Sequence, residues 1–348
     1  MAVSEVRQTA AARIVDAGDA SWRRFLLSHP NALPYHHPAW VETLADAYGY
    51  EPLAAVVHSS AGAVVGGLTF VPVGGRIRPR QWISLPFTDF CPPLARDGLT
   101  VREVGVAVDE LRREHDVAGL EVRAPLVGLE GLWTARGVRH ALALTDPERL
   151  FAGFKSQVRR NIRKGEATGV TVRVGDRRED LTRTYFDLHA DTRRRLGVPP
   201  QPRRFFDSLW RYVIEPELGF LLLAYHEGIA VAGAVYLEWN GVIVYKYGAS
   251  DRRHWPLRPN NLLLWSSMQR GWSSGAHTLD LGRSDLDDKG LRAFKRSWGA
   301  PEEPLDYTSF GRARQGPGRG HDLLRTLLAK SPTWFGRMIG ASLYKLAA

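Results

Sequence analysis

FLLLAYHEGIAVAGAVYLEWNGVIVYKYGAS, residues 220 to 250, limits the fold more than any other stretch of the chain. It reads as three apolar strands separated by Glu227-Gly228 and Asn240-Gly241. Both pairs suit the two-residue turns that need a positive φ and close tight hairpins. Strands joined this way are antiparallel neighbours, so the segment is a meander. Residues 52 to 73, PLAAVVHSSAGAVVGGLTFVPV, repeat the plan. Val64-Val-Gly-Gly-Leu-Thr-Phe70 overlays Val231-Ala-Gly-Ala-Val-Tyr-Leu237, and each piece follows a strand that ends in His and a short polar turn. Helix candidates come next, at 100–115 and 260–273, and then strands at Gly119 to Ala124 and His277 to Gly282. The chain is therefore expected to hold a duplicated α+β unit.

Size and composition agree with two ordinary globular domains: 348 residues, 44% apolar and 24% charged. The single cysteine, Cys91, excludes an internal disulfide framework and suits a reducing compartment. The N-terminal MAVSEVRQTAAARIVDAG has no apolar core of a signal peptide, and no run reaches the roughly 18 apolar residues of a membrane span. The expected location is cytoplasmic. The formal charge of +10 is concentrated at Lys155 to Lys164, Arg193 to Arg204 and Arg312 to Arg325. Such clusters suit phosphate-bearing partners: a nucleotide, tRNA or anionic lipid headgroups. A solvated, Arg-rich surface explains any single cluster equally well.

The seam between the repeats lies near 145 to 170. Thr145-Asp146-Pro147-Glu148 offers a cap, a first-turn Pro and an early acid. Phe151, Phe154, Val158 and Ile162 then form an apolar stripe, bordered by Lys155, Arg159 and Arg163 at four-residue spacing. Gly169 ends the helix, and a second helical stretch is expected at 179–196. GRARQGPGRG, 311 to 320, reads as a basic linker. The tail after it reads as two short helices broken at Ser331-Pro332, the second amphipathic enough to lie in a headgroup layer or to dock on the protein's own surface. The expected boundaries are 1–145, 146–311 and a 312–348 linker and tail.

LDLGRSDLDDKGLRAFKRSWG, 279 to 299, carries the best candidates for chemistry. A strand ends in Gly-Arg-Ser, acids follow, and Leu291, Phe294 and Trp298 recur at helical spacing with Lys295 at the border of that stripe. Lys295 either holds an anionic ligand or snorkels along its own helix. Arg283 either faces the same region or pairs with Asp285, Asp287 or Asp288. Zinc spacing, a G-x-S-x-G elbow and a Walker loop are all missing from the sequence, which argues against metalloenzyme, hydrolase and NTPase chemistry.

The repeated unit, FKSQVRRNIRKGEATGV at 154–170, YKYGASD at 245–251 and LGRS with GLRAFKRSWGA at 281–300 resemble the Fem-type aminoacyltransferases and the related CelD-like acetyltransferases of the GNAT superfamily. PYHHPAW at 34–40 and SLPFTDFCPPL at 84–94 resemble N-terminal landmarks of the CelD-like branch. The resemblance covers nearly the whole chain. It implies an α+β chain of two tandem GNAT-like (acyl-CoA N-acyltransferase) folds with mixed, mainly antiparallel sheets. It also implies an acyl acceptor in the cleft of the second fold. The donor it implies is an aminoacyl-tRNA or acyl-CoA. The acceptor is an amine on a phosphate-bearing or lipid-linked cell-envelope precursor, or on a polysaccharide intermediate. Lys295 stands where the family's helix Lys contacts precursor phosphate, and Tyr247, with Tyr245 on the same strand, where a Tyr contacts the acceptor. The loop DRRHWPLRPNN, 251 to 261, departs from the Gly-rich phosphate loop of ordinary GNAT enzymes: it has no Gly and two Pro, and Pro has no N–H to donate.

Acyl transfer needs a neutral amine, a held carbonyl and a stabilised oxyanion. Tyr247-Gly248-Ala249 and Asp280-Leu281-Gly282 are the expected lips of the site. Tyr247, Asp280 and Asp285 are the candidates for acid–base work. Lys295, Arg283, Ser284, Lys155, Arg159 and Arg163 are the candidates for substrate binding. A CelD-like N-acetyltransferase and a catalytically silent envelope-assembly scaffold are the competing functions. Membrane contact, if present, is expected through the C-terminal tail at the inner membrane face.

Overall fold

The computed structural model describes residues 11–75 and 79–312, so the basic linker beyond Arg312 and the expected C-terminal helices lie outside the described residues. In chain order the elements are β1 (Ala11–Asp16), α1 (Ala20–Ser28), α2 (Pro38–Tyr48), β2 (Leu53–His58), β3 (Val64–Val73), β4 (Gln81–Ile83), β5 (Leu94–Ala95), α3 (Val101–Glu114), β6 (Gly119–Val122) and β7 (Trp133–Ala143). After them come α4 (Pro147–Gly153), α5 (Ser156–Ala167), β8 (Thr171–Val174), α6 (Phe186–Arg195), α7 (Arg203–Leu209), β9 (Gly219–His226), β10 (Ile229–Trp239) and β11 (Val242–Ser250). The last are α8 (Pro259–Ser273), β12 (Thr278–Ser284), α9 (Lys289–Ser297) and β13 (Glu302–Gly311). The chain divides into two compact units that do not follow chain order strictly. The first holds the chain up to Ala32, Tyr50–Ala135 and the stretch from Asp306. The second holds Leu33–Gly49 and Arg136–Leu305.

In the first unit β1, β2, β3 and β4 pair antiparallel in sequence order. β4 then pairs parallel with β6, and β6 antiparallel with β13. A parallel pair requires a crossover, and α3 supplies it. Its start is written in the sequence. Thr100 Oγ1 accepts the Glu103 N–H while the Glu103 carboxylate accepts the Thr100 N–H, a reciprocal capping box. Val104, Val108 and Leu111 repeat along one face of α3 and close over Phe70, Trp82, Leu120 and Val122. Burying each such side chain contributes about 1.5–3 kcal/mol.

The second unit repeats the arrangement. β8, β9, β10 and β11 form the antiparallel meander. The two turns are as the sequence predicts, with positive φ at Glu227, Gly228, Asn240 and Gly241. α8 crosses over to β12, which pairs parallel with β11 and antiparallel with β7. The overlaid glycines, Gly66 and Gly233, sit at corresponding close approaches. A Cβ on Gly66 would press on Val104 and the Leu94 carbonyl, and one on Gly233 would press on Leu223 and Tyr185. The helical stripe of the seam is divided between α4, capped by Asp146, and α5. Phe154, Val158 and Ile162 are buried against Leu262, Trp265 and Trp298 as that periodicity requires.

Candidate functional site

The β11–β12 pairing stops early. Only Val242, Ile243 and Val244 are in register with Thr278, Leu279 and Asp280. Beyond them the strands part, and the gap opens a cleft of about 690 Å³ within the second unit. Tyr245, Gly248, Ala249 and Ser250 line it from β11, and Leu281 from β12. Asn260, Asn261 and Leu264 of α8 and Leu291, Phe294 and Lys295 of α9 form its remaining walls. Trp255 and Arg258, in the connection before α8, line it as well.

Two of the expected lips are therefore present, Gly248-Ala249 and Leu281. The tyrosine that reaches the cleft is Tyr245. Alternation along a regular strand would put Tyr245 and Tyr247 on one face. A β-bulge at Lys246 reverses this: Val235 pairs with Tyr247, but the next residue, Tyr236, pairs with Tyr245. The two tyrosines consequently point to opposite faces. Tyr247 packs edge-on against His189 and Phe205, with ring centroids 5.7 and 5.8 Å away. Tyr245 packs against Tyr236, its hydroxyl tucked where a Cβ on Gly248 would stand. Burial pushes the Tyr245 phenol up to about 12, so it is a proton donor at neutral pH.

The expected acids sit in different surroundings. Asp280 is buried, takes Arg139 Nε at 2.8 Å and accepts the Gly282 N–H at 2.8 Å. Asp285 is exposed and pairs with Arg283, one of the two arrangements the sequence allows for that arginine. Ser284 is buried, with a hydroxyl that has no hydrogen-bond partner among the described residues.

Lys295 lines the cleft, yet only 5% of it is exposed. Its ammonium donates to the Gly282 and Arg283 carbonyls, both at 2.9 Å. These carbonyls lie where β12 loses register with β7, between Asp280 and Arg283. The basic border of α5 is not part of the cleft lining. Lys155 is the residue before the helix and is exposed. Arg159 donates to the Ala152 and Phe154 carbonyls and so closes the turn from α4. Arg163 lies over the Phe151 ring. Asn161 is the α5 residue that reaches the cleft.

The connection between β11 and α8 supplies what sequence reasoning missed. Arg252–Leu257 form a 3₁₀ turn, Arg258 is left-handed at φ 62°, and Pro259 opens the helix. The backbone N–H groups of His254, Arg258 and Asn261 are engaged by carbonyls inside this segment, and that of Arg253 by the Asp251 carboxylate. Those four donors are thus taken, and Pro256 and Pro259 have none to offer. The side chains remain: Trp255, Arg258, Asn260 and Asn261. The run Pro-Asn-Asn was the available signal.

Comparison with known proteins now bears on this geometry. Residues 152–296 match the model of the acetyltransferase (GNAT) domain. They are a GNAT domain. The parted β11 and β12 lie within that segment. A 79-residue segment of the chain is 38% identical to the lipid II:glycine glycyltransferase of Staphylococcus epidermidis and 37% identical to that of Staphylococcus aureus. Each match covers 21% of this chain and 19% of the relative. The chain thus spans about a fifth of the length of the curated relatives it matches. Among solved structures, FemX superposes with a TM-score of 0.67 at 17% identity, over 85% of this chain and 96% of FemX. A tandem GNAT protein from the clavulanic acid biosynthesis pathway gives 0.51 at 15% identity, over 88% and 100%. The two tandem GNAT-like folds and the Fem-type resemblance read from the sequence both hold. Among the described residues no helix is long and apolar enough to cross a membrane, and no group of three or more His, Cys, Asp or Glu could hold a metal ion.

Proposed function

We propose that this protein is a Fem-like N-acyltransferase. It moves an aminoacyl or acyl group onto an amine of a phosphate-bearing or lipid-linked cell-envelope precursor. The observation that carries the proposal is the parting of β11 and β12 beyond Val244 and Asp280, which leaves an open cleft floored by Gly248 and Leu281. An acyl carbonyl lying there has strand backbone on both sides, and an oriented N–H donor to a developing oxyanion is worth about 3 kcal/mol. In the step itself the neutral amine attacks the carbonyl carbon. The C–N bond forms, the bond to the carrier oxygen or sulfur breaks, and the carrier leaves with a proton. Tyr245, in the cleft wall, gives that proton to the carrier and takes up the one the amine nitrogen loses as the amide forms, so the phenol is restored.

The donor is an aminoacyl-tRNA in this reading. The engaged N–H groups of Arg253, His254, Arg258 and Asn261, with two Pro in the same connection, favour it over acyl-CoA, the donor of the CelD-like alternative. Lys295, Arg283 and Ser284 are assigned here to the shape of the β12 end. A direct hand in catalysis is kept for Tyr245.

The test is to supply the purified protein with charged tRNAs or with acetyl-CoA, together with lipid-linked and UDP-linked muropeptides, and to weigh the acceptors. An acceptor mass raised by one aminoacyl group, with matching tRNA deacylation, is the expected result. Transfer from acetyl-CoA alone selects the CelD-like reading, and no transfer from either donor selects the scaffold.

A further inference from the structure

Asn261, Leu264, Trp265 and Met268 follow one another at helical spacing along α8, and all four are buried. The last three belong to the hydrophobic core of the second unit. Asn261 stands at the cleft end of that stripe, where the pattern calls for another apolar side chain, and is only 7% exposed. Helix capping does not explain it. Arg258 precedes α8 without a side-chain capping bond, and the Asn261 N–H donates to the Arg258 carbonyl at 3.1 Å. Its neighbour Asn260 has a structural task, a hydrogen bond from Nδ2 to Ser250 Oγ at 3.2 Å. The Asn261 carboxamide makes no hydrogen bond with any described residue. Buried polar groups are as a rule paired, so this one requires a reason.

The other buried polar residues of the lining are committed. The Ser250 N–H donates to Thr192 Oγ1 at 3.1 Å, and Ser250 Oγ accepts from Trp255 Nε1 at 2.8 Å. Lys295 donates to two carbonyls at the end of β12. Among the described residues the one acid of the lining, Asp288, is exposed and caps α9. A cationic ligand group would therefore meet the Lys295 charge with no buried acid to offset it. What the buried lining offers instead is a neutral group that donates and accepts side by side. Its natural complement is one residue of an extended amide-linked chain. Hydrogen-bonded residues of antiparallel strands exchange both of their bonds in the same way.

We propose that Asn261 is a specificity-determining residue that reads an uncharged amide of the substrate. The inference rests on the acyl-transfer reading for the use of the cleft. The binding itself is independent of turnover. The amide has two sources, a short peptide that carries the acceptor amine and the pantetheine arm of an acyl carrier.

The experiment measures binding to the full chain by calorimetry with two probes, acetyl-glycyl-glycyl-lysine and pantetheine. Each is compared with analogues in which its amides are replaced, one at a time, by esters, which removes the N–H and keeps the length. Wild type should bind one amide at least about tenfold more tightly than its ester, and Asn261→Leu should prefer it by less than about threefold. Leu has nearly the volume of Asn and continues the apolar stripe, so the Tm of the variant should equal or exceed that of wild type. A purely structural carboxamide would give the opposite shift, and a Tm lowered by several degrees overturns the proposal. Dependence on Asn261 with the peptide places the amide on the acceptor. The same dependence with pantetheine alone upholds Asn261 but overturns the aminoacyl-tRNA donor. An amide preference that survives in Asn261→Leu overturns the assignment, and the transfer assay then still decides the acyl-transfer reading by itself. Failure of wild type to bind either probe at about 10 mM also overturns the proposal.

Discussion

Replacing Lys295 with Ala separates two roles that the sequence leaves open. The ammonium is almost wholly buried and donates to two backbone carbonyls, at Gly282 and Arg283, each at 2.9 Å. They lie at the shift in register of β12 against β7, between Asp280 and Arg283. A hydrogen bond to a charged group contributes about 1.5–3 kcal/mol, and a buried acceptor left unpaired costs a similar amount. Water from the cleft replaces part of the loss. The expected net destabilisation of Lys295→Ala is about 2–4 kcal/mol. For a unit of some two hundred residues that is a fall in Tm of roughly 5–15 °C. Urea denaturation should show a lower midpoint at unchanged slope, the mark of altered stability rather than altered unfolded state. Lys295→Arg should recover part of it. A Tm within a degree of wild type, with weakened acceptor binding, refutes the structural argument and returns Lys295 to the ligand.

Three further outcomes are expected. Gly248→Ala puts a methyl where the Tyr245 hydroxyl sits, so transfer should fall at least as far as in Tyr245→Phe while the fold survives, and unchanged transfer removes Tyr245 from the chemistry. Acetyl-CoA should bind no tighter than about 100 μM by calorimetry, near −5.5 kcal/mol, and a micromolar constant contradicts the account of the β11–α8 connection. His189 is buried beside Arg193, and burial first, then that cation, lower its pKa from 6.5 to about 3. Between those values the unfolded chain binds a proton that the folded chain excludes. Stability contributed above pH 6.5 is therefore lost as pH falls, at up to about 1.4 kcal/mol per pH unit. His189→Gln should flatten that part of the stability–pH curve, and a slope identical to wild type refutes the assignment.

Much of the fold was legible because local rules and tertiary packing agree. Glu227-Gly228 and Asn240-Gly241 permit few connections other than tight hairpins, and both turns have the expected positive φ. Thr100 and Glu103 announce the start of α3, and Asp146 with Pro147 that of α4. The internal overlay of Val64–Phe70 on Val231–Leu237 conveys the repeat, because each copy faces the same requirement at Gly66 and Gly233. At the site the same rules reach less far. Period-two alternation places Tyr245 and Tyr247 together, and a single extra residue, Lys246, separates them. A bulge depends on how one strand meets its neighbour, so no spacing within β11 reveals it. Four-residue spacing marks Arg159 and Arg163 as a basic border, but whether such a side chain faces a ligand or a carbonyl depends on where the chain turns back. Arg159 meets the last carbonyls of α4. Lys295 was visible as a cation at an apolar edge. Its two carbonyl partners appear only once the fold sets α9 against the end of β12. The sequence by itself determined the elements, their turns and the duplication, since these follow from neighbours along the chain. The tertiary structure alone decided which polar groups meet in the cleft, because their partners lie on other elements, 10 to 141 residues away for the Ser250–Asn260 and Arg139–Asp280 pairs.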